Sequence, residues 1–267
     1  MGAMSQYHSC ALITGASAGL GEEFAFQLAP RVEKLVLVAR REARLNEIAD
    51  VIRARFPRVA VAVFAVDLTK SAEREELAEI LHSRGLVPDL LINNAGMGDY
   101  GEFAKSDWQK IQSMLRVNVE GLTHLTHALL PAMIRRGYGT IMNVSSLASV
   151  LPIPDFAAYA ASKAYVTSFS EALRIEVRDH GIRVMALCPG PVHTEFGEVA
   201  GRGPSTDFGA REWFFVPQEQ VVSEALCGLD CDRPRVYPGW KVAAAAVGIS
   251  LLPLAIIRIV MATRPRR

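Results

Sequence analysis

Cysteine is scarce in this sequence, and its distribution argues against two kinds of structure. The four cysteines are Cys10, Cys188, Cys227 and Cys231. They are too few and too scattered for a disulfide framework. Cys227 and Cys231 have no nearby histidine or further cysteine to complete a zinc site. We therefore expect structural thiols in a reducing compartment, and no bound metal.

An excess of charge of either sign is also lacking. Lysine and arginine number 29 against 28 aspartates and glutamates, so the composition gives no general attraction to nucleic acid. The N-terminus has no basic region followed by an apolar run, which argues against a secretory signal. We expect a cytoplasmic protein without a nucleic-acid partner.

No linker, low-complexity tract or long repeat divides the 267 residues, half of which are hydrophobic, so we expect one large domain. Apolar runs that end in turn residues alternate with amphipathic helical stretches, one of which extends from about Ser106 to Gly137. The runs are CALITG, KLVLVAR, VAVAVFAVDL, DLLINNAG, GTIMNVSS and IRVMALCPGPV, with a seventh in RPRVYPG. This alternation predicts an α/β, doubly wound Rossmann-type parallel sheet of about seven strands. We assign residues 1–240 to this domain and residues 241–267 to a hydrophobic tail.

A glycine-rich turn follows the first predicted strand. In TGASAGLG, Gly15, Gly19 and Gly21 have the spacing G-x-x-x-G-x-G. At this place in a doubly wound sheet, backbone N–H groups and the helix N-terminus can bind a pyrophosphate, and glycines remove the Cβ atoms that would block it. The alternative is a turn of purely structural purpose, because the spacing departs from the usual G-x-G-x-x-G.

The end of the second predicted strand bears on the form of the cofactor. An NAD site usually has Asp or Glu here, but this sequence has Ala39, Arg40 and Arg41. A guanidinium can bind a 2′-phosphate through charge-assisted hydrogen bonds. We therefore predict NADP(H), bound by Arg40. Arg41 is instead expected to begin the solvated face of the next helix.

Seven motifs in order resemble the short-chain dehydrogenase/reductase family over about residues 8–240. They are TGASAGLG, VDL (66–68), NNAG (93–96), Asn118 in RVNVEG, NVSS (143–146), YAASK (159–163) and PGPVHT (189–194). The resemblance implies that Ser17, Ala18 and Leu20 bind the cofactor with the three glycines. It also implies that Asp67 and Leu68 border the adenine, that Asn94 lies under the adenosine, and that Pro189, Val192 and Thr194 face the nicotinamide end.

The YAASK segment suggests the chemistry. Tyr159 and Lys163 are four residues apart and share one face of a helix, so the ammonium and a positive nicotinamide are expected to favour the phenolate of Tyr159. The same ammonium is expected to bind the nicotinamide ribose, so both residues are also assigned to the cofactor site. The resemblance makes Ser146, thirteen residues before Tyr159, the hydroxyl donor, with Ser145 and Ser149 as rivals. It also gives Asn118 a water that links Lys163 to solvent; the alternative is an asparagine that kinks or caps its helix.

Together these residues predict an NADPH-dependent oxidoreductase that reduces an apolar ketone or aldehyde by hydride transfer, with Tyr159 as proton donor. The alternatives are an NADP-dependent alcohol or hydroxysteroid-type dehydrogenase and a 3-ketoacyl reductase. A non-catalytic nucleotide-binding protein is a further alternative, but it would have no need of the tyrosine acid. By analogy with the family, we expect a homodimer or homotetramer.

Two segments bear on the substrate. A lid is predicted at about residues 193–216, whose aromatic residues either form an apolar substrate wall or anchor the lid: Phe196, Phe208, Trp213, Phe214 and Phe215. Residues 242–257 form an uncharged run of sixteen that contains Pro253. This tail could pack over the substrate mouth or another subunit, lie in a membrane interface and make the protein peripheral, or span a membrane.

Overall fold

The computed structural model describes residues 7–201 and 212–263. Its centre is a parallel sheet with the order β3-β2-β1-β4-β5-β6-β7. The strands are β1 (His8–Thr14), β2 (Val32–Ala39), β3 (Ala60–Ala65), β4 (Leu90–Asn93), β5 (Gly139–Val144), β6 (Ile182–Leu187) and β7 (Arg235–Val236). The predicted α/β Rossmann-type class and the seventh strand in RPRVYPG are confirmed.

Helices cover both faces of the sheet. They are α1 (Gly19–Leu28), α2 (Glu42–Arg55), α3 (Ser71–Ser83), α4 (Trp108–Leu115), α5 (Leu122–Arg136), α6 (Ala157–Val177), α7 (Glu195–Ala200), α8 (Gln218–Asp230), α9 (Trp240–Leu251) and α10 (Leu254–Ala262). Strand β2 shows why both faces are covered: Leu35 and Leu37 belong to one hydrophobic cluster, and Val36 and Val38 to the other. All four side chains are fully buried, as the continuous apolar run predicts.

The strand order places the site. Strand β1 pairs with β2 on one side and β4 on the other, so the chain reverses its direction of travel across the sheet between them. In open α/β sheets, ligands bind in the crevice outside the carboxyl ends of the strands at this point. The residues that follow β1, β2 and β4 are therefore brought to one crevice.

The helical stretch predicted from about Ser106 to Gly137 is found, with one irregularity. Helix α4 passes into α5 through a π-helical turn at Arg116–Gly121, which contains Asn118. Helix α5 ends at Gly137, whose left-handed conformation (φ 76°) closes the helix. π-Helical turns are found most often at functional sites.

The hydrophobic tail folds into two short helices, α9 and α10, rather than one. They are separated at Leu252 and Pro253 and bent by 116°. Among the described residues, no single helix is long and apolar enough to cross a membrane, whereas this bent pair meets the requirements of length and composition together. The division of the chain at residue 240 stays a prediction, and residues 264–267 of the tail lie outside the described part.

Candidate active site

The glycine turn is held by hydrogen bonds from the end of β4. The Thr14 hydroxyl accepts from the backbone N–H groups of Asn94 and Ala95, both at 3.0 Å. The Asn94 amide in turn donates to the carbonyls of Thr14 (3.0 Å) and Gly15 (3.3 Å). The Asn94 side chain therefore holds the glycine turn in place, and it also lines the cleft next to the turn.

Two glycines of the turn adopt the left-handed conformation, Gly15 with φ 66° and Gly19 with φ 56°. Ser17, Ala18 and Leu20 line the same cleft, together with these two glycines. Gly21 is buried behind the turn, where an added Cβ would collide with the Gly15 carbonyl. Its role is thus to let α1 pack against the turn, whereas Gly15 and Gly19 shape the surface.

Substitution of Gly15 tests how closely the turn is packed. A Cβ at Gly15 would lie 2.8 Å from the Ala95 Cα, whereas Gly85, with a similar φ of 63°, has no heavy atom within 4 Å. We expect Gly15→Ala to lower the free energy of unfolding by about 1–3 kcal/mol more than Gly85→Ala, because only Gly15 adds overpacking to the shared backbone strain. Urea denaturation of both variants measures this; equal losses would contradict the close packing.

Two arginines and one aspartate stand at the other end of the cleft. Arg40 and Arg41 both line it, with Asp67 and Leu68 across from them. Burial acts to raise the pKa of Asp67, but hydrogen bonds from Thr69 and the charge of Arg40 outweigh it and leave the pKa below its ordinary value. Asp67 is thus an anion near Arg40 at the edge of the cleft.

Arg41 has a place that the sequence did not reveal. Its guanidinium donates to the Ser17 carbonyl at 3.0 Å and to the Ser17 hydroxyl at 3.3 Å. It also forms an ion pair of 2.9 Å with Glu195, the first residue of α7. The expectation that Arg41 only begins a solvated face is therefore wrong: it bridges the glycine turn and the segment beyond β6.

Tyr159 is buried, with 7% of its surface exposed, and its hydroxyl is hydrogen-bonded to Ser146. Burial raises the pKa of Tyr159 to about 12, and the Ser146 hydrogen bond opposes this rise. Burial dominates this pKa, and the expectation that the Lys163 ammonium and a positive nicotinamide favour the phenolate stays a prediction. A tyrosine with this pKa keeps its proton at neutral pH, which is the form that a proton donor needs.

The structure distinguishes the three serines that are candidates for the hydroxyl donor. The Ser146 hydroxyl is beside Tyr159 and also accepts from the Ala148 N–H at 3.1 Å. The Ser145 hydroxyl is turned away and donates to the Lys163 carbonyl at 2.8 Å. Ser149 lies beside the Cys188 thiol. Of the three candidates, the structure brings only Ser146 to the tyrosine hydroxyl.

Lys163 is directed to the strand rather than to the tyrosine hydroxyl. Its ammonium donates to the Val144 carbonyl at 2.8 Å, and Nζ is 5.8 Å from the centroid of the Tyr159 ring. Burial lowers the pKa of Lys163 to about 8. Gly96 has no side chain, so the space beside the ammonium stays free. A Cβ on Gly96 would fill it, in van der Waals contact with Nζ at 3.4 Å.

Asn118 connects the π-helical turn to the site. Its carbonyl oxygen accepts from the Met97 N–H at 2.8 Å, and its amide donates to the Met97 carbonyl at 2.9 Å and the Ser162 hydroxyl at 3.0 Å. A Cβ on Gly96 would lie within 3.5 Å of both the Asn118 oxygen and the Lys163 ammonium. Asn118 and Lys163 thus flank one small space, although Asn118 also fixes the loop after β4.

The loop after β6 closes the cleft on its far side. Pro189, Val192 and Thr194 all line the cleft. The Thr194 methyl group lies 3.2 Å from the position of a Cβ on Gly19, so this loop faces the glycine turn. The Thr194 hydroxyl accepts from the Phe196 N–H at 3.3 Å and caps α7.

The aromatic residues of the predicted lid divide between the two roles. Phe196, Phe214 and Phe215 line the cleft, and the Phe196 ring lies 5.5 Å from that of Tyr159. Trp213 is an anchor instead: its carbonyl accepts from Lys241 at 3.0 Å, and the same ammonium lies 5.2 Å from its ring centroid. Phe208 lies outside the described residues.

Two further parts complete the apolar wall: Phe156, which was not predicted, and the hydrophobic tail, for which packing over the substrate mouth was one of the alternatives. Phe156 stacks on Tyr159, with ring centroids 4.2 Å apart and planes 21° from parallel. Ala245 and Ile249 of α9 line the cleft, and a Cβ on Gly190 would touch Val242 at 2.7 Å. The whole cleft has a volume of about 720 Å³. Its tyrosine end is therefore apolar, and the hydrophobic tail contributes to it.

A sequence model described as short chain dehydrogenase matches residues 9–203. The chain belongs to the short-chain dehydrogenase family. The match extends from β1 past α7, so it includes the glycine turn, Ser146, Tyr159 and Lys163. The part of the chain that matches the family model therefore contains these residues, which the fold brings to one crevice.

Individual members of the family show how far the similarity extends. A very-long-chain 3-oxoacyl-CoA reductase-like protein of Arabidopsis thaliana is 31% identical over 258 residues, which cover 94% of this chain and 79% of that protein. A sulfoacetaldehyde reductase of Chromohalobacter salexigens is 38% identical over 192 residues, covering 70% of this chain and 74% of that protein. A short-chain dehydrogenase from Sphingobium yanoikuyae, solved in complex with NADPH, has a TM-score of 0.81 at 31% identity and covers 96% of each chain.

This short-chain dehydrogenase is therefore an oxidoreductase of carbonyl or alcohol substrates that uses a nicotinamide cofactor. The residues of the cleft fit such a group, because Gly15 and Gly19 carry no Cβ atom where the turn lines the cleft and Gly96 carries none beside Lys163. Solved relatives at 31% and 25% identity hold NADPH and NAD, respectively, so family membership does not decide the form. Within residues 7–201 and 212–263, no group of three His, Cys, Asp or Glu side chains is arranged to hold a metal.

Proposed function

We propose that this protein is an NADPH-dependent reductase that converts an apolar ketone or aldehyde to its alcohol, with Tyr159 as the proton donor. One observation carries the proposal: the protonated Tyr159 hydroxyl meets the Ser146 hydroxyl where the dinucleotide cleft joins an apolar wall. The wall is formed by Phe156, Phe196, Phe214, Phe215 and Ile249, and it matches the apolar part of such a substrate.

Each side chain of the site has its own role in the proposed reduction. When bound, the nicotinamide supplies the hydride. Ser146 and Tyr159 direct their hydroxyls to the position of the carbonyl oxygen, where negative charge develops, and Tyr159 transfers its proton to that oxygen. Lys163 stabilises the tyrosinate that results, because its ammonium lies beside the ring. Lys163 then gives a proton to the tyrosinate, and a water in the space that Asn118 and Gly96 border restores the proton of Lys163.

The cofactor form in this proposal rests on charge. The adenosine end of the cleft contains two guanidinium groups, and no carboxylate stands at the end of β2. Arg40 is exposed there and acts on Asp67 only through its charge, which leaves its donors available to a 2′-phosphate. Arg41 already donates to Ser17 and Glu195. We therefore assign recognition of the 2′-phosphate to Arg40.

Arg40→Ala is expected to raise the KM for NADPH roughly ten- to hundredfold and to leave the KM for NADH unchanged, since only NADPH loses charge-assisted hydrogen bonds. Steady-state kinetics with both cofactors and one ketone measure this difference. Arg53→Ala, which removes an exposed guanidinium of α2 outside the cleft, is the matched control. Equal losses with NADPH and NADH would show that Arg40 does not contact the 2′-phosphate.

A second candidate function is the reduction of a 3-oxoacyl thioester. The contribution of α9 to the wall favours it, because Ala245 and Ile249 lengthen the apolar surface beyond the immediate surroundings of Tyr159. The name of the Arabidopsis thaliana relative supports the same substrate class. The two candidates share one mechanism and differ in the group attached to the carbonyl. Oxidation of an alcohol or hydroxysteroid is the reverse reaction, and the cellular ratio of NADPH to NADP⁺ sets the direction.

A substrate screen tests the proposal directly. NADPH absorbance is followed with aliphatic ketones and aldehydes of increasing chain length, cyclic ketones and 3-oxoacyl thioesters. We expect kcat/KM to rise with chain length, since each buried methylene contributes about 0.8 kcal/mol. A preference for short, charged aldehydes would contradict the apolar assignment.

A homodimer or homotetramer formed by α4–α5 and α6 is also part of the proposal. Helix α6 supports it, because Tyr165 and Ile175 are 40% and 75% exposed on its surface. The Tyr165 hydroxyl lies 3.0 Å from the Thr123 hydroxyl of α5, so the two helices form one exposed face. Light scattering during size-exclusion chromatography gives the mass; a monomer at all concentrations would contradict this assembly.

A further inference from the structure

Eight of the eighteen exposed large hydrophobic residues of the described chain lie between residues 240 and 260, on the last two helices and the turn that joins them. Trp240, Val247 and Leu251 of α9 are 76%, 58% and 78% exposed. Leu254, Ile259 and Val260 of α10 are 53%, 67% and 54% exposed. A concentration of exposed apolar residues of this kind on a protein surface marks a site of interaction.

Apart from Arg258, every residue of helix α10 is apolar. Ile257 is its one buried residue and Met261 is half-buried, while the remaining residues of Leu254–Ala262 are exposed. A second protein would cover one side of so short a helix and leave the rest in water. Lipid surrounds an inserted helix, and helices that are apolar all round belong in a core or a membrane. The distribution of exposed residues therefore favours lipid over a second copy of this chain.

The charges of this region point to the type of lipid. No aspartate or glutamate follows Asp232, whereas Lys241, Arg258 and three arginines in residues 264–267 are basic. Arg258 is exposed within α10 itself. Each such residue near an anionic leaflet contributes to binding at low ionic strength. The surface thus complements a bilayer that carries negative headgroups.

The lengths of the helices decide how they meet the bilayer. At about 1.5 Å per residue, α9 and α10 would be roughly 18 and 14 Å long, whereas the hydrocarbon core is about 30 Å thick. Neither helix is long enough to cross alone, and the bend of 116° between them means that together they would form a broken span and not a straight one. Helices that combine an apolar surface with basic residues bind in the interface between headgroups and acyl chains.

We propose that α9 and α10 dock this protein on the surface of an anionic lipid bilayer. Helix α9 is then shared between two surfaces: Ala245 and Ile249 line the cleft, while Val247 and Leu251 face outward. Docking therefore brings the apolar end of the cleft next to the acyl chains. The substrate class that follows is a carbonyl compound dissolved in the membrane, and this second step rests on the proposed reductase activity, whereas docking does not.

Vesicle flotation of the full-length protein tests docking without any measure of activity. The probes are vesicles of phosphatidylcholine alone and vesicles in which about one lipid in four is phosphatidylglycerol. We expect the protein to float with the anionic vesicles, and the bound fraction to fall as salt is raised, because the basic residues are screened. Arg258→Gln is expected to weaken this binding severalfold.

Two valines give a matched pair of variants. Val260 of α10 and Val51 of α2 are 54% and 53% exposed, so aspartate at either position leaves the core intact. We expect Val260→Asp to reduce affinity for anionic vesicles by about tenfold or more, and Val51→Asp to have no effect, since only the first places a charge among acyl chains. With a long-chain ketone in vesicles, kcat/KM should fall for Val260→Asp alone, while a water-soluble ketone is reduced equally by both.

Three results would overturn docking. The first is an intact protein that stays with the soluble fraction for both kinds of vesicle. The second is equal loss of flotation in the two aspartate variants. The third is an oligomer that Val260→Asp dissociates while neither protein floats, which would assign the surface to a second copy. A vesicle-bound protein with no reductase activity would instead count against the proposed function alone.

Discussion

Tyr159→Phe is expected to lower kcat for carbonyl reduction by a factor of about 10²–10⁴, with NADPH affinity unchanged. The substitution removes the hydroxyl and keeps the ring, so the stack with Phe156 and the contact with Phe196 are retained. The phenol is the protonated group next to Ser146, with a pKa that burial raises to about 12. Its loss leaves the developing oxyanion without a proton donor. Stopped-flow reduction and fluorescence titration of NADPH measure the two quantities separately.

Tyr165→Phe is the control for this variant. Tyr165 lies on the same helix, and its hydroxyl is 3.0 Å from Thr123, outside the cleft. We expect its kcat to stay within a factor of about two of the parent, because only one hydroxyl is lost and it lies outside the cleft, on the face proposed for oligomerisation. Near-normal turnover in Tyr159→Phe would remove Tyr159 from the mechanism, and loss of NADPH binding would give it a structural role instead.

Ser146→Ala is expected to lower kcat by a factor of about 10²–10³, the usual effect of losing one donor to a developing oxyanion. It also removes the hydrogen bond that opposes the rise of the Tyr159 pKa, so the phenol becomes a still weaker acid. KM for the ketone should change less than kcat, because the hydroxyl acts most strongly on the charge that develops in the transition state.

Ser149→Ala separates this effect from a general disturbance of the loop. Ser149 belongs to the 3₁₀ turn Leu147–Val150, which Ser146 caps. Its side chain lies beside the Cys188 thiol rather than beside Tyr159. Its kcat should match that of the parent. If the two alanine variants lose activity equally, the serine effect comes from the fold of the turn and not from donation to the substrate.

Local patterns were sufficient for most of the fold. Apolar runs such as KLVLVAR predict strands because both faces of β2 are buried, and the spacing of Tyr159 and Lys163 is a property of any helix. The position of Gly15 and Gly19 after β1 likewise depends on a turn of a few residues. These features are encoded within short segments, so the sequence reveals them.

Features that depend on distant contacts were missed or, like the place of the hydrophobic tail, left open among alternatives. Arg41 follows β2 in the chain, but its orientation is set by Ser17 and Glu195, which lie 24 residues before it and far beyond it in the sequence. The place of α9 depends on the packing of Val242 against Gly190. The pKa of Tyr159 depends on how deeply its side chain is buried in the fold, and the neighbouring residues in the sequence do not show this. Each of these is a property of the assembled crevice.

The π-helical turn at Arg116–Gly121 has a geometric consequence for the long helix that contains it. Such a turn adds about one residue, which rotates everything after it by roughly 100° relative to an unbroken α-helix. Before it, Met114 packs in the cluster around Tyr159; after it, Leu125 and Leu129 pack under the sheet. Because of this rotation, one long helix contributes side chains to two hydrophobic clusters. Asn118 lies in the π-helical turn between the two parts of the helix.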